Sequence, residues 1–162
     1  MLRKALVTQF IVLVILSCGA DVFAQMSNPY GMSINLETAK KVAAPALAEE
    51  KKNNWNMAVA VVDTDGNLVY FEKMDGTQLA SPNIAIQKAR TATQFKRPTK
   101  ALEDVVAAGG DGLRVLGLPG AVPVEGGIPL VSEGKIIGAI GVSGGASSQD
   151  AQCAKAGADQ LK

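Results

Sequence analysis

The chain reads as an α+β domain built on one central antiparallel sheet, because two of its segments pattern as β-hairpins and helical patterns stand before, between and after them. The hairpins turn at Asp63-Thr64-Asp65-Gly66-Asn67 and at Glu133-Gly134. A domain of this size with 48% hydrophobic residues can bury a single core.

Before that domain, Arg3 and Lys4, an apolar run over residues 5–16 and Val22-Phe23-Ala24 as a small-x-small site read as a signal peptide over residues 1–24. The run is shorter than the about 20 residues a spanning helix requires, so no integral membrane segment is expected after cleavage. The product is then periplasmic or secreted. A second reading takes Ile15-Leu16-Ser17-Cys18 as a lipoprotein box, with the protein anchored through Cys18.

Residues 25–34 form a short polar leader, and the domain runs over residues 35–162. Loss of Arg3, Lys4 and Asp21 leaves 14 basic and 14 acidic side chains. A neutral surface offers no general attraction to nucleic acid or an anionic membrane.

Asn35 is placed to cap a helix with apolar positions Leu36, Ala39, Val42, Ala43, Ala46 and Leu47, ending near Asn53, with Pro45 predicting a kink or a restart. Residues 57–62 and 68–72 form the first hairpin. Ser81 is expected to cap a second helix with Pro82 at its first position, running to about Phe95. Arg97-Pro98-Thr99 breaks it, and a third helix follows to Ala108, closed by Gly109-Gly110. Residues 113–124, rich in glycine and proline, are expected to wander along the surface. Residues 128–131 and 135–142 form the second hairpin, and a last helix over residues 149–161 presents Ala151, Ala154, Gly157 and Ala158 to the sheet.

The Gly144-Gly145 exit from the second hairpin, with Ser147 and Ser148 capping the helix beyond, leaves backbone N–H groups suited to an acid, a phosphate or a close-lying ring. Gly141-Val142-Ser143-Gly144-Gly145 also matches a hydrolase nucleophile elbow. The chain has no histidine to take the proton of Ser143, so that chemistry is set aside.

Lys88 falls in the middle of the apolar face of its helix, among Ile84, Ala85, Ala89, Ala92 and Phe95, whereas Gln87, Arg90 and Gln94 lie opposite. Two readings stand: its stem covers apolar surface with the amine at the edge, or the amine meets an acid from a ligand or another chain. Asp150 is suited to the positive end of its helix and also to pairing with Lys88. Glu125 precedes Gly126-Gly127, where a ligand or a neighbouring subunit can approach closely. Cys153, alone after cleavage, is expected as a buried thiol. No carboxylate pair has the spacing of an acid–base couple, and no cluster has metal-ligand spacing.

Seven segments in order, among them Asp65-Gly66-Asn67-Leu68, Met74-Asp75-Gly76, Lys88-Ala89-Arg90-Thr91-Ala92, Arg97-Pro98-Thr99, Gly126-Gly127-Ile128-Pro129-Leu130 and Gln149-Asp150, resemble the GlcG/HbpS family, also called the haem-degrading or haem-binding domain family. The resemblance implies a profilin-like fold with about five antiparallel strands flanked by helices, and homo-oligomers, often octamers. Several members bind haem, and degradation is attributed to some. A haem here lacks histidine as ligand and turns to methionine, tyrosine, cysteine or lysine, with Met74 preferred, beside a flexible Asp75-Gly76 turn.

Three functions follow. In the first, the protein is an exported binder of haem or a related tetrapyrrole, with Lys88 and Arg97 on the propionates, the Gly144 and Gly145 backbone nearby, and Glu125, Gly126, Gly127 and Asp150 lining the ligand. In the second, it is a small enzyme acting on an organic acid or carbonyl compound with Lys88 as base or electrophile. In the third, it is an accessory oligomer without a ligand of its own.

Overall fold

The computed structural model describes residues 28–162. The signal-peptide and lipid-anchor readings, Cys18 included, lie outside these residues.

Helix α1 (Leu36–Asn53) begins where Asn35 accepts the Thr38 N–H at 2.8 Å. It continues through Pro45 without a restart and ends at Asn54 in the left-handed region. Strands β1 (Ala58–Val62) and β2 (Leu68–Lys73) follow. Their turn is held by Asp63, whose Oδ1 accepts the N–H groups of Asp65 and Asn67 at 2.9 and 2.8 Å.

Helix α2 (Ser81–Gln94) differs from expectation at its start. Ala80 is the N-cap, Ser81 is the first helical residue, and its buried hydroxyl lies 3.4 Å from that of Ser143. Helix α3 (Thr99–Ala107) is followed by a 3-10 helix (Gly110–Gly117), so part of the stretch expected to wander is regular.

Strands β3 (Gly127–Ser132) and β4 (Lys135–Ser143) close the second hairpin. Its turn residues Glu133 and Gly134 have φ of 50° and 72°, the geometry of a tight primed turn. Helix α4 (Ser147–Ala158) runs into a 3-10 turn (Asp159–Leu161). Ser147 and Ser148 do not cap it; Gln149 Oε1 accepts the N–H of Ala146 at 2.9 Å instead.

Four strands, in the order β2-β1-β4-β3 and antiparallel throughout, form the sheet. The expected count of five is therefore one too high among the described residues. In place of another strand, the chain around Tyr30 makes an isolated parallel bridge to Ile136, with Gly31 N–H donating to the Ile136 carbonyl and Ile34 N–H to that of Ile137. Residues 29–34, read as leader, thus join the domain, and Ile34 is buried in its core.

The sheet is covered on both faces. Val59, Val61, Ile140 and Val142 point into a core with Val42, Ala46 and Leu47 of α1 and Cys153 and Ala154 of α4. The alternate residues Ala58, Ala60, Val62 and Ala139 meet Ala85, Ala89 and Ala92 of α2. The helix α2 side is thin because Gly127 and Gly141 are register partners beneath it. A Cβ on Gly141 would lie 2.1 Å from the Ala85 carbonyl oxygen, and one on Gly127 2.3 Å from that of Lys88. No helix among the described residues is long and apolar enough to cross a membrane.

Candidate functional site

Three polar or hollow features interrupt this packing. At the first, Lys88 is 1% exposed and reaches from α2 to the other side of the sheet, where its Nζ lies 2.6 Å from Asp150 Oδ2 in the first turn of α4. The same amine donates to the Val142 carbonyl at 3.2 Å. The passage exists because Gly126, with φ of 123°, carries no side chain: a Cβ there would sit 2.8 Å from Asp150 Cβ and 3.0 Å from the Lys88 nitrogen.

Asp150 also accepts the Gly145 N–H at 3.0 Å. Burial pushes its carboxyl above the usual range, while Lys88 and the Gly145 and Gly144 N–H groups pull the other way. The bare backbone after β4 therefore does receive an acid, and that acid is the chain's own. Gly127 is likewise filled from within: its N–H donates to Thr99 Oγ1 at 2.9 Å. Of the partners open to the Lys88 amine from the sequence, the structure realises Asp150, and the amine neither rests at an edge nor meets an acid from outside the chain.

The other residues singled out from the sequence lie apart from this pair. The Glu125 N–H donates to Glu103 Oε2 at 2.6 Å. Arg97 is exposed, with its Nε donating to the Phe95 carbonyl at 3.0 Å. Met74, half-buried, follows β2, and its N–H donates to the Met57 carbonyl at 3.0 Å. Ser143 is buried at the end of β4 rather than raised on an elbow. Cys153 is fully buried, as expected, and burial with Glu50 nearby pushes its thiol up to about 12.

The second feature is Glu50, absent from the sequence-derived candidates. It is fully buried, and neither carboxyl oxygen has a hydrogen-bond partner. Burial first, then Glu72 and Asp150, pushes its pKa up to about 7. Its signal was present: Ala39, Val42, Ala43, Ala46, Leu47 and Glu50 continue one spacing of three and four, so the glutamate occupies a core position of α1.

The third feature is hollow. Strand β3 is an edge, blunted by Pro129, and a groove of about 440 Å³ runs between it and the end of α4. Ile128, Val131, Ala158 and Leu161 give it apolar walls, and Lys155 and Lys162, both paired with Asp159, stand at its margin. A smaller hollow of about 230 Å³ shares Ile128, Pro129 and Val131 and is bounded by Lys96 and Pro98, the two neighbours of Arg97. Neither hollow is lined by Lys88. Nothing in the sequence pattern marked them, since the packing of two distant segments creates them.

Comparison with known proteins bears on this arrangement. Residues 34–159 match the family model described as "Haem degrading protein HbpS-like". Protein GlcG of Escherichia coli K12 is 39% identical over 110 residues, covering 68% of this chain and 81% of that protein. The crystal structure of HbpS superposes with a TM-score of 0.74 at 32% identity, covering 82% of this chain and 92% of the other. The crystal structure of a PduOC:heme complex superposes with a TM-score of 0.73 at 27% identity, over 81% of this chain and 96% of that one.

Proposed function

Since the chain belongs to the HbpS-like family of haem-degrading proteins, we propose that it is an exported binding protein for haem or a related tetrapyrrole. The observation that carries this reading is the likeness, over nearly the whole of the other chain, to a domain crystallised with haem. Export rests on residues 1–24 and places the protein in the periplasm or outside the cell; the mass of its mature N-terminus separates cleavage after Ala24 from a lipid on Cys18.

The hollows beside β3 fit the ring of such a ligand through their apolar side chains. Apolar walls beside β3 suit a flat ring, and Lys96 at the smaller hollow and Lys155 and Lys162 at the larger, where Glu133 and Asp159 also stand, are the basic residues lining them. Bound haem would supply redox chemistry at its iron. The protein's own part is to exclude water from the ring and to pair with the propionates.

A Lys88-based enzyme loses its support, because an amine held by Asp150 and Val142 and closed from solvent touches no substrate. Self-association, up to the octamer of the family, remains part of the proposal. The exposed aliphatic side chains Val105, Leu113, Leu116 and Leu118 on α3 and the segment after it favour such a contact.

Titrating the mature protein with hemin tests the reading: a saturable Soret shift is expected, and an unchanged spectrum overturns it. Following that band with ascorbate and dioxygen then separates storage from degradation. Native mass spectrometry gives the copy number in the same preparation.

A further inference from the structure

We propose that the last turn of α1 is a pH-operated latch, closed on α4 and β2 while Glu50 carries a proton and released to water when Glu50 loses it. The latch needs no ligand, so it does not depend on the tetrapyrrole reading.

Negative charge is in excess where these three elements meet. From α4, Asp150 faces Glu50 with Lys88 as its own counter-ion, and Cys153 stands by as a protonated thiol. From β2, Glu72 faces it, with Oε2 accepting the Tyr70 hydroxyl at 2.5 Å. Strand β1 is aliphatic throughout, and the 3-10 turn after α4 brings Asp159, already held by Lys155 and Lys162. On α1 itself, Lys51 is exposed and favours the ionised form, and Lys52 is paired with Glu49. Among the described residues, the two Glu50 oxygens are the buried side-chain polar atoms left without a hydrogen-bond partner. A carboxylate there is far costlier than a carboxylic acid, so burial above all holds Glu50 as the acid, with a pKa raised to about 7.

The position of Glu50 in its helix decides what gives way on ionisation. It is the last buried residue of α1, and Lys51, Lys52 and Asn54 beyond it are exposed. Two contacts fasten this turn: Glu49 Oε1 accepts from Gln152 Nε2 of α4 at 2.6 Å, and Trp55, partly buried, packs on the core. Fraying at a helix end opens a few residues and leaves the rest of a domain in place. Outward movement of residues 50–55 therefore hydrates the carboxylate while the sheet and α2 stay packed.

Trp55 is the sole tryptophan of the chain, and its N–H donates to the Glu50 carbonyl at 3.0 Å, so its fluorescence reports the latch. Between about pH 5 and about pH 8.5, emission of the mature protein is expected to move to longer wavelength with a midpoint near pH 7. Glu50→Gln and Glu50→Leu, which cannot ionise there, are expected to keep the low-pH spectrum throughout, with circular dichroism reporting that each is folded. Hydrogen exchange of the wild type, corrected for the intrinsic effect of pH, is expected to quicken about tenfold or more over residues 47–55 and to stay within about twofold in β1 and β4. A spectral shift that persists in a folded variant takes Glu50 out of the device and overturns it. Exchange that quickens equally in β1 and β4 makes the ionisation a loosening of the whole domain, and unchanged emission and exchange leave the turn closed; either result overturns the latch.

Discussion

Lys88 Nζ and Asp150 Oδ2 lie 2.6 Å apart although their helices cover opposite faces of the sheet. A lysine stem passes Gly126, the residue just before β3, and the ion pair it completes ties α2, the last residues of β4 and the first turn of α4 together. Its reach across the layers makes it a structural clamp.

Removing one partner of such a pair strands the other charge in the interior. Lys88→Met is therefore expected to lower unfolding stability by about 3–5 kcal/mol, and Lys88→Met combined with Asp150→Asn to regain part of that loss. Urea unfolding measures both. A single variant as stable as the wild type would contradict the clamp.

Glu50 makes stability depend on pH in an unusual direction. Its folded pKa of about 7 lies above the unfolded value, so the folded state holds the proton more tightly. Its contribution is complete below about pH 4.5, declines as pH rises toward 7, and is lost above; the expected fall is ~3 kcal/mol. Glu72, Asp150, Lys51 and Cys153 are the ionisable groups around it. In Glu50→Gln this fall should vanish, as read by the difference between the two chemical-denaturation profiles from pH 4.5 to 8; parallel profiles would exclude Glu50 as the source.

The glycines beneath α2 set its distance from the sheet. With the Ala85 carbonyl 2.1 Å from where a Cβ would stand, Gly141→Ala is expected to cost about 1–3 kcal/mol. Gly117→Ala, with open space around it, should change stability by less than about 0.5 kcal/mol. Melting temperatures of the two variants would expose any error, since equal shifts are incompatible with the close approach.

Cys153 should be chemically silent in the folded protein. Its thiol is fully buried and held up to about 12, so a disulfide reagent in excess is expected to leave the native mature chain unmodified and to label one thiol in denaturant. Rapid labelling under native conditions would show that α4 opens readily from the sheet.

Much of this was legible in the residues. Asn35, the Asp63 turn, Glu133-Gly134 and the apolar spacing of α1 act over a few neighbours, and each appears where its local chemistry placed it. The expected caps at Ser81 and Ser147 were not realised, because Ala80 and Gln149 serve those ends. Glu50 was visible as one more step of a helical stripe, but its lack of any partner depends on α4 and β2, far away in the chain.

By itself the sequence determined the α+β class, both hairpins, the four helices and the presence of a lysine on an apolar helix face, because turn chemistry and periodicity are local. Only the tertiary structure decided that Asp150 takes that lysine, that the glycine exit binds the chain's own carboxylate, and that hollows open beside β3. Those outcomes turn on distances between segments some sixty residues apart, such as Lys88 and Asp150, which periodicity along one strand or helix does not encode.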